Sequence, residues 1–433
     1  MNPFVHTRYD MPATGPIDRY AFARDATYDA IATVIREIVD AAGPPAGTPV
    51  VVKPNLNNDL CALSGNSVDL RILSALFEAL KAKGISDILL AEGMNVGVDR
   101  RRINGFSRLR VDRLAAAHGV RLFNVNEAEQ MSVALSNSEG RIAREIFDAR
   151  FLISVCKIKT HAEAVFSGAM KNWVGISVGQ HKRRMHDNLA ENIVAVNELV
   201  KPHLVIVDGL VAMAGNGPGD GYPVRLDTVL AGCDAAAIDL FACRIAGIPS
   251  EEVPYLSIAC SHDPALARTR DAIAATVEPH ITLERAPLRS PLARLSDAAE
   301  LRWLKKRVQP FLSQGPLLVL AYRLKIVQDV YSLEDDALSC IAVTSAAAAR
   351  YAALLDCVCP RRFEEVRRSA QFSEAEIVVS SSPRCIGCLY CFWALPAEAV
   401  RISGNPGFLG RHIVKYKSRI EGLFRAAVSG SRK

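Results

Sequence analysis

Between residues 25 and 265 the chain switches repeatedly between segments of helical apolar spacing and short runs that are apolar on both faces, and few architectures accept that alternation. Tyr28 to Ala42 carries the helical spacing and is broken by Gly-Pro-Pro-Ala-Gly. Pro49 to Asn55 then reads as a strand, Arg71 to Lys83 as a helix, and Asp87 to Glu92 as a second strand. Helix Val111 to Gly119 leads into strand Val120 to Val125, and Phe151 to Val155 is a fourth strand. Asn188 to Val200 is a helix, with Asn188 as its cap and Glu191 three residues on. His203 to Asp208 and Thr228 to Gly232 are further strands before helix Ala235 to Ala246. Strands buried on both faces and separated by helices make a mostly parallel sheet covered by helices on both sides, an α/β fold.

At 433 residues, half of them apolar and 23% charged, the chain is long enough for two or three domains with a large core, which excludes a disordered or disulfide-stapled protein. The α/β domain is expected over 25–265 and a basic helical connector over 266–345. A cysteine module at 346–400 and a basic tail at 401–433 complete the division. The N-terminus has no apolar run like a secretory leader, and no stretch approaches the roughly 20 apolar residues that span a bilayer. A cytoplasmic protein is therefore expected. Net charge is +6 but unevenly spread, with basic clusters at 157–186, 301–330 and 401–433. The last two suit an acidic redox partner or peripheral contact with a membrane face. The basic stretch near His181 lacks the interleaved aromatics of a base-stacking surface, which disfavours nucleic acid.

In a doubly wound sheet, ligands bind beyond the carboxyl ends of the strands. There the sequence places Lys53-Pro-Asn55, Glu92, Lys157-Ile-Lys159-Thr-His161 and Asp208. Alternate residues of an extended chain share a face, so Lys157, Lys159 and His161 should project together. Gly168-Ala-Met-Lys171-Asn172-Trp-Val-Gly175 and the His181-Lys-Arg-Arg-Met-His186 loop extend the set. The expectation is one pocket for an anionic small molecule. Lys53, Asn55, Glu92, Lys171, Asn172, His181, His186 and Asp208 would bind the ligand, while Lys157, Lys159 and His161 carry the chemistry. His161 is the expected proton-transfer group because histidine ordinarily titrates near neutrality. The same groups would also serve simply to pair lysines with Glu92 and Asp208 and tie strand ends together. The glycine-rich loop Gly215 to Gly221 has no Lys-Ser/Thr pair of a phosphate loop and reads as tight turns.

Six of the eleven cysteines, Cys61, Cys156, Cys233, Cys243, Cys260 and Cys340, are scattered among small or apolar residues and are expected to be ordinary buried thiols. The other five cluster. Cys385-Ile-Gly-Cys388-Leu-Tyr-Cys391 followed by Pro396 reproduces most of the bacterial ferredoxin run, in which a fourth cysteine precedes the proline. Here that position is Leu395. One [4Fe–4S] cluster is expected on Cys385, Cys388 and Cys391. Its fourth ligand would come from Cys357-Val-Cys359-Pro360, Cys359 first and Cys357 second. Zinc is the competing reading, although its ribbons pair cysteines rather than tripling them.

The strand-end motifs, in this order, resemble the bacterial and archaeal family named domain of unknown function 362, over roughly 45–260 and often fused to a C-terminal ferredoxin-type module. The resemblance implies an iron–sulfur protein of uncertain activity. The same region is distantly similar to the cofactor domain of lactate racemase-type enzymes, in which Lys and His handle a nickel-bearing cofactor. Three functions are then open: a redox protein passing electrons between a cluster and an anionic ligand, a binding module with a structural cluster, or a racemase-like Lys/His acid–base enzyme.

Overall fold

A computed structural model describes residues 2–136, 138–285 and 337–429. Its main sheet takes in β1 (Phe4–Met11), β2 (Gly15–Phe22), β3 (Val50–Pro54), β4 (Ile88–Glu92) and β5 (Arg121–Asn124). A small hairpin of β6 (Gln130–Ala134) and β7 (Glu139–Ala143) stands apart from it. The main sheet resumes with β8 (Phe151–His161), β9 (Val165–Ser167), β10 (Leu204–Asn216) and β11 (Asp220–Gly232).

The order is β1-β2-β11-β10-β8-β3-β4-β5, with β9 folded back on β8. From β10 to β5 the neighbours are parallel, while β11, β2 and β1 extend one edge antiparallel. Helices cover both faces. Tyr28–Ala42 and Leu70–Ala82 pack with Val50, Val52, Ile153 and Val155 on one side. Ala235–Ile245 and Pro254–His262 pack with Cys156, Ile158, Val205 and Val207 on the other. Leu189–Leu199 reaches that second face with Val196 against Val51, Leu152 and Trp173. The chain runs outward from β3 to β4 and β5, then returns to lay β8 and β10 on the opposite side of β3. The junction of β3 and β8 is thus the switch point where open α/β sheets form their ligand crevice.

The C-terminal unit is a four-stranded antiparallel sheet ordered β13-β14-β12-β15, from β12 (Ala337–Thr344), β13 (Gln371–Phe372), β14 (Glu376–Val378) and β15 (Val400–Asn405). It is larger than the cysteine module read from sequence, because β12 and β15 pair across its expected limits at 346 and 400. It docks through polar contacts: Arg71 donates to the Cys357 carbonyl at 2.9 Å in a buried bond, and Arg362 forks onto Glu78 at 2.9 and 3.0 Å in a partly buried one. The expected basic tail packs on the rest of the chain over its described residues. Helix Gly410–Ser429 buries Tyr416, Ile420 and Phe424 in the same core. The connector's 286–336, with the basic segment at 301–330, lies outside the described residues, while Pro264–Thr276 is helical within the α/β unit.

Of the scattered cysteines, Cys156, Cys243 and Cys260 are buried, Cys61 and Cys340 are partly covered, and Cys233 is exposed, contrary to the uniform burial expected. Cys233 sits in the turn between β11 and helix Ala235–Ile245. Asn188 stands at the N-cap of its helix as expected, but its side chain makes no capping bond; its amide instead donates to Ser136 at 3.3 Å.

Candidate functional site

A cavity of about 340 Å³ opens over the switch point. Lys53 reaches it from β3, Glu92 from β4, and Lys159 and His161 from β8; Lys171 and Asn172 come from the short helix Ala169–Asn172. Asn55, Lys182, His186 and the Pro218-Gly219 hairpin tip complete the polar wall. The short helix is held by the buried carboxylate of Asp239, which accepts the Ala169 and Met170 amides at 2.6 and 3.0 Å. Burial pushes Asp239 up to about 7, against those two bonds. Gly175 is required by space. A Cβ there would come within 2.6 Å of Lys53 Nζ and 2.8 Å of Glu92 Oε1.

Each lysine is held differently. Lys53 donates to both Glu92 oxygens at 2.9 and 3.0 Å, to Asn172 Oδ1 at 2.9 Å and to the Pro54 carbonyl at 2.8 Å. Burial still holds its pKa below the usual lysine range, with Glu92 opposing. Lys159 donates to Asn55 Oδ1 and the Asn66 carbonyl, both at 2.7 Å. Burial, then Lys171 and Lys157, drive it well below the usual range. Lys182 donates to the Met94 carbonyl at 3.0 Å and to Asn126 Oδ1, and burial brings it down to about 7. Lys171 makes no hydrogen bond or ion pair to any described residue, and burial lowers it to about 8. Asn172 is spent on structure, donating to Ser154 Oγ at 3.0 Å and the Lys53 carbonyl at 3.2 Å.

The two histidines differ in kind. His161 Nδ1 accepts the backbone amides of Glu163 and Ala164, both at 3.1 Å, so the neutral ring carries its proton on Nε2. Burial, with Lys171 and Lys159 beside it, drives its pKa well below neutrality. It is therefore a hydrogen-bond donor at physiological pH rather than the proton-transfer group expected from an ordinary histidine. His186 Nδ1 lies 2.9 Å from Glu163 Oε2 on the exposed rim. A carboxylate on Nδ1 orients the ring and leaves Nε2 to exchange protons. Glu163, in the turn between β8 and β9, and Lys182, within the His181–His186 loop, were not among the expected site residues.

Three expected members stand outside the cavity. Lys157 points to the same side of β8 as Lys159, but Asp208, its cross-strand partner, closes on it at 2.8 Å with both side chains fully buried. Asp208 also accepts the Asp69 amide at 2.7 Å, which seals the pair under the chain entering Leu70–Ala82. Burial raises Asp208, whereas Asp69, although equally buried, is held low by Arg71 at 2.7 Å. His181 ends a turn beside Glu139 and Arg141 of β7, away from the strand ends.

The cysteines fall in two places. Cys359, Cys385, Cys388 and Cys391 line one apolar pocket in the C-terminal unit. Gly387, at φ 67°, turns the loop there, and its amide donates to Cys385 Sγ at 3.4 Å. Backbone amides of Arg361, Tyr390 and Phe392 serve Cys359, Cys388 and Cys391 in the same way. Burial raises all four thiols, Cys359 to about 12. Cys357 faces elsewhere, beside Phe424 and Arg225, and Leu395 is buried in the core. Among the described residues, no three His, Cys, Asp or Glu side chains group as a single metal-ion site.

Residues 50–244 match the family described as Domain of unknown function (DUF362). That match runs from β3 to the end of helix Ala235–Ile245 and so takes in every cavity-lining residue named above. Thylakoid-associated protein sll1697 of Synechocystis sp. is 28% identical over 124 residues, which are 27% of this chain and 39% of that protein. The chain thus spans well under half the length of this curated relative. The lactate racemase apoprotein of Thermoanaerobacterium thermosaccharolyticum aligns over 57% of this chain and 63% of its own, with 10% identity and a TM-score of 0.32. A Thermotoga maritima protein aligns over 46% and 54%, with 13% identity and a TM-score of 0.26. No helix among the described residues is long and apolar enough to cross a membrane.

Proposed function

We propose that the protein binds a small anion in the cavity over β3 and β8 and acts on it as an oxidoreductase, in concert with a [4Fe–4S] cluster on Cys359, Cys385, Cys388 and Cys391. One observation carries the anion site. Four lysines and two histidines line the cavity, and its one acidic side chain, Glu92, is already engaged by Lys53. Lys159 and Lys182 are fixed by carbonyl and amide oxygens that bring no negative charge, so their ammonium groups are left to be neutralised by a ligand. His161 Nε2–H adds a neutral donor, and the His186–Glu163 pair can move a proton at the rim.

The donor chemistry of the cysteine pocket fits such a cluster. Four sulfurs face one apolar space, each with a backbone amide ready to donate to it, and such bonds stabilise thiolate ligands. A cube offers four separate irons, so its ligands need not converge on one point as they would for zinc. When bound, the cluster would supply one-electron transfer. Free thiols in this number belong in a reducing compartment such as the cytoplasm. Arg419 and Arg425, exposed on helix Gly410–Ser429, are the proposed contact for an acidic redox partner.

Sulfate, which does not titrate near neutrality, tests the cavity by calorimetry. Lys159→Met should weaken its binding at least tenfold while the circular dichroism spectrum holds; unchanged affinity overturns the site. Iron and sulfide counts after anaerobic reconstitution test the pocket. Cys359→Ser should lose the four-iron signal and Cys357→Ser keep it. The reverse result would reassign the fourth ligand, and full iron content in Cys385→Ser would remove the cluster from the proposal.

A further inference from the structure

We propose that Lys171 is a nucleophilic amine that captures the carbonyl carbon of a small oxo acid as an imine. The proposal rests on the anion-binding reading of the cavity and adds to it the class of ligand and a covalent step. Of the four lysines that line the cavity, three have their ammonium groups committed to protein oxygens; Lys171 has no such partner among the described residues. Its backbone is nonetheless fixed, since Asp239 grips the start of the helix and Asn172 ties the end to β3 and β8. A rigidly placed side chain with an uncommitted head group in a polar cavity is what a reacting group requires.

The surroundings supply the remaining parts. Burial and the Lys53 ammonium favour the neutral amine, with Glu163 opposing, which leaves an appreciable fraction unprotonated near neutral pH. Lys159 and Lys182 hold the substrate's carboxylate. His161 presents Nε2–H to the carbonyl oxygen, a neutral donor for the charge that develops there on attack. The Lys171 nitrogen bonds to the carbonyl carbon as the C=O π bond opens, and the oxygen takes up a proton. The oxygen then leaves as water after a second protonation, and the nitrogen gives up its two protons in the course of the exchange. His186, oriented by Glu163, ferries these protons. The sum is amine plus carbonyl giving imine plus water, with no oxidant or reductant consumed.

Pyruvate and sodium borohydride test this on the full-length chain. Reduction would fix any imine as a secondary amine, and peptide mass mapping would locate it. The expected result is one reduced adduct on the peptide holding Lys171, suppressed by excess sulfate and missing in Lys171→Gln. Because the site is read on the wild-type chain, a variant that fails to fold leaves the result intact. Sulfate binding without an adduct, or adducts spread evenly over surface lysines, would overturn the imine and leave the anion site standing. Neither sulfate binding nor an adduct would overturn both.

Discussion

Lys53 and Glu92 form a buried ion pair, at 1% and 2% exposure with every contact internal. Removing one partner of a buried pair strands the other charge, at about 3–5 kcal/mol. Glu92→Gln should therefore lower the urea-unfolding free energy by roughly that amount, and Lys53→Met added to it should restore part of the loss. A double variant no better than the single one would mean that Glu92 matters for the Leu56 amide, which it accepts at 2.8 Å, more than for the lysine. Proton linkage gives a second prediction at this scale. Lys182 and Lys171 sit at about 7 and about 8 in the folded chain, below the ordinary 10.5. Between these values and 10.5 the unfolded chain binds more protons at these two groups, so their contribution to stability should climb as pH rises from about 7 toward 10. Urea midpoints at pH 7 and pH 9 check it, and Lys182→Met should flatten the difference; an equally steep rise in the variant would point to other groups.

Among the elements, the parallel strands were legible because they carry apolar residues on both faces: Phe151 to Val155 and His203 to Asp208 leave a helix-covered sheet as their natural home. The N-terminal pair β1 and β2 was not. Phe4 to Met11 is mostly exposed and its polar residues hide the period of two. The extension of β10 through Leu210 to Asn216 was also missed, since Gly209 and Gly215 read as breaks, whereas the structure absorbs Gly209 in a register shift. The site shows the same division. Period-two spacing correctly puts Lys157 and Lys159 on one side of β8, but it cannot see that Asp208 closes over one of them and not the other. Docking between units depends on Tyr390, whose hydroxyl accepts the Leu70 amide at 3.0 Å at the start of helix Leu70–Ala82. Tyr390→Phe leaves that buried amide without its acceptor and should cost about 1–3 kcal/mol. Equilibrium unfolding measures it, and a change below a few tenths would show that the docking rests on Arg71 and Arg362 instead.

Over the whole molecule, two sites of different chemistry lie in two units joined by polar contacts. Polar strand ends sit at the switch point of the main sheet, and a cysteine pocket sits in the smaller one. The last helix belongs to both. Tyr416 donates to the Gly221 carbonyl at 3.2 Å and Lys415 pairs with Asp220, at the hairpin joining β10 and β11. Phe424 carries Arg225 against its ring at 5.1 Å. Phe424→Ala should destabilise the chain by about 3–5 kcal/mol, the usual cost of emptying a buried aromatic site, with the loss read from thermal or urea unfolding. The tip of that hairpin, Pro218-Gly219, is also part of the cavity wall, and Asn66 bonds to the Pro218 carbonyl. One rigid turn is thus shared as a roof tile on its inner side and as a handrail on its outer side. Whatever grips or loosens the last helix reaches the mouth of the cavity through a lever two residues long.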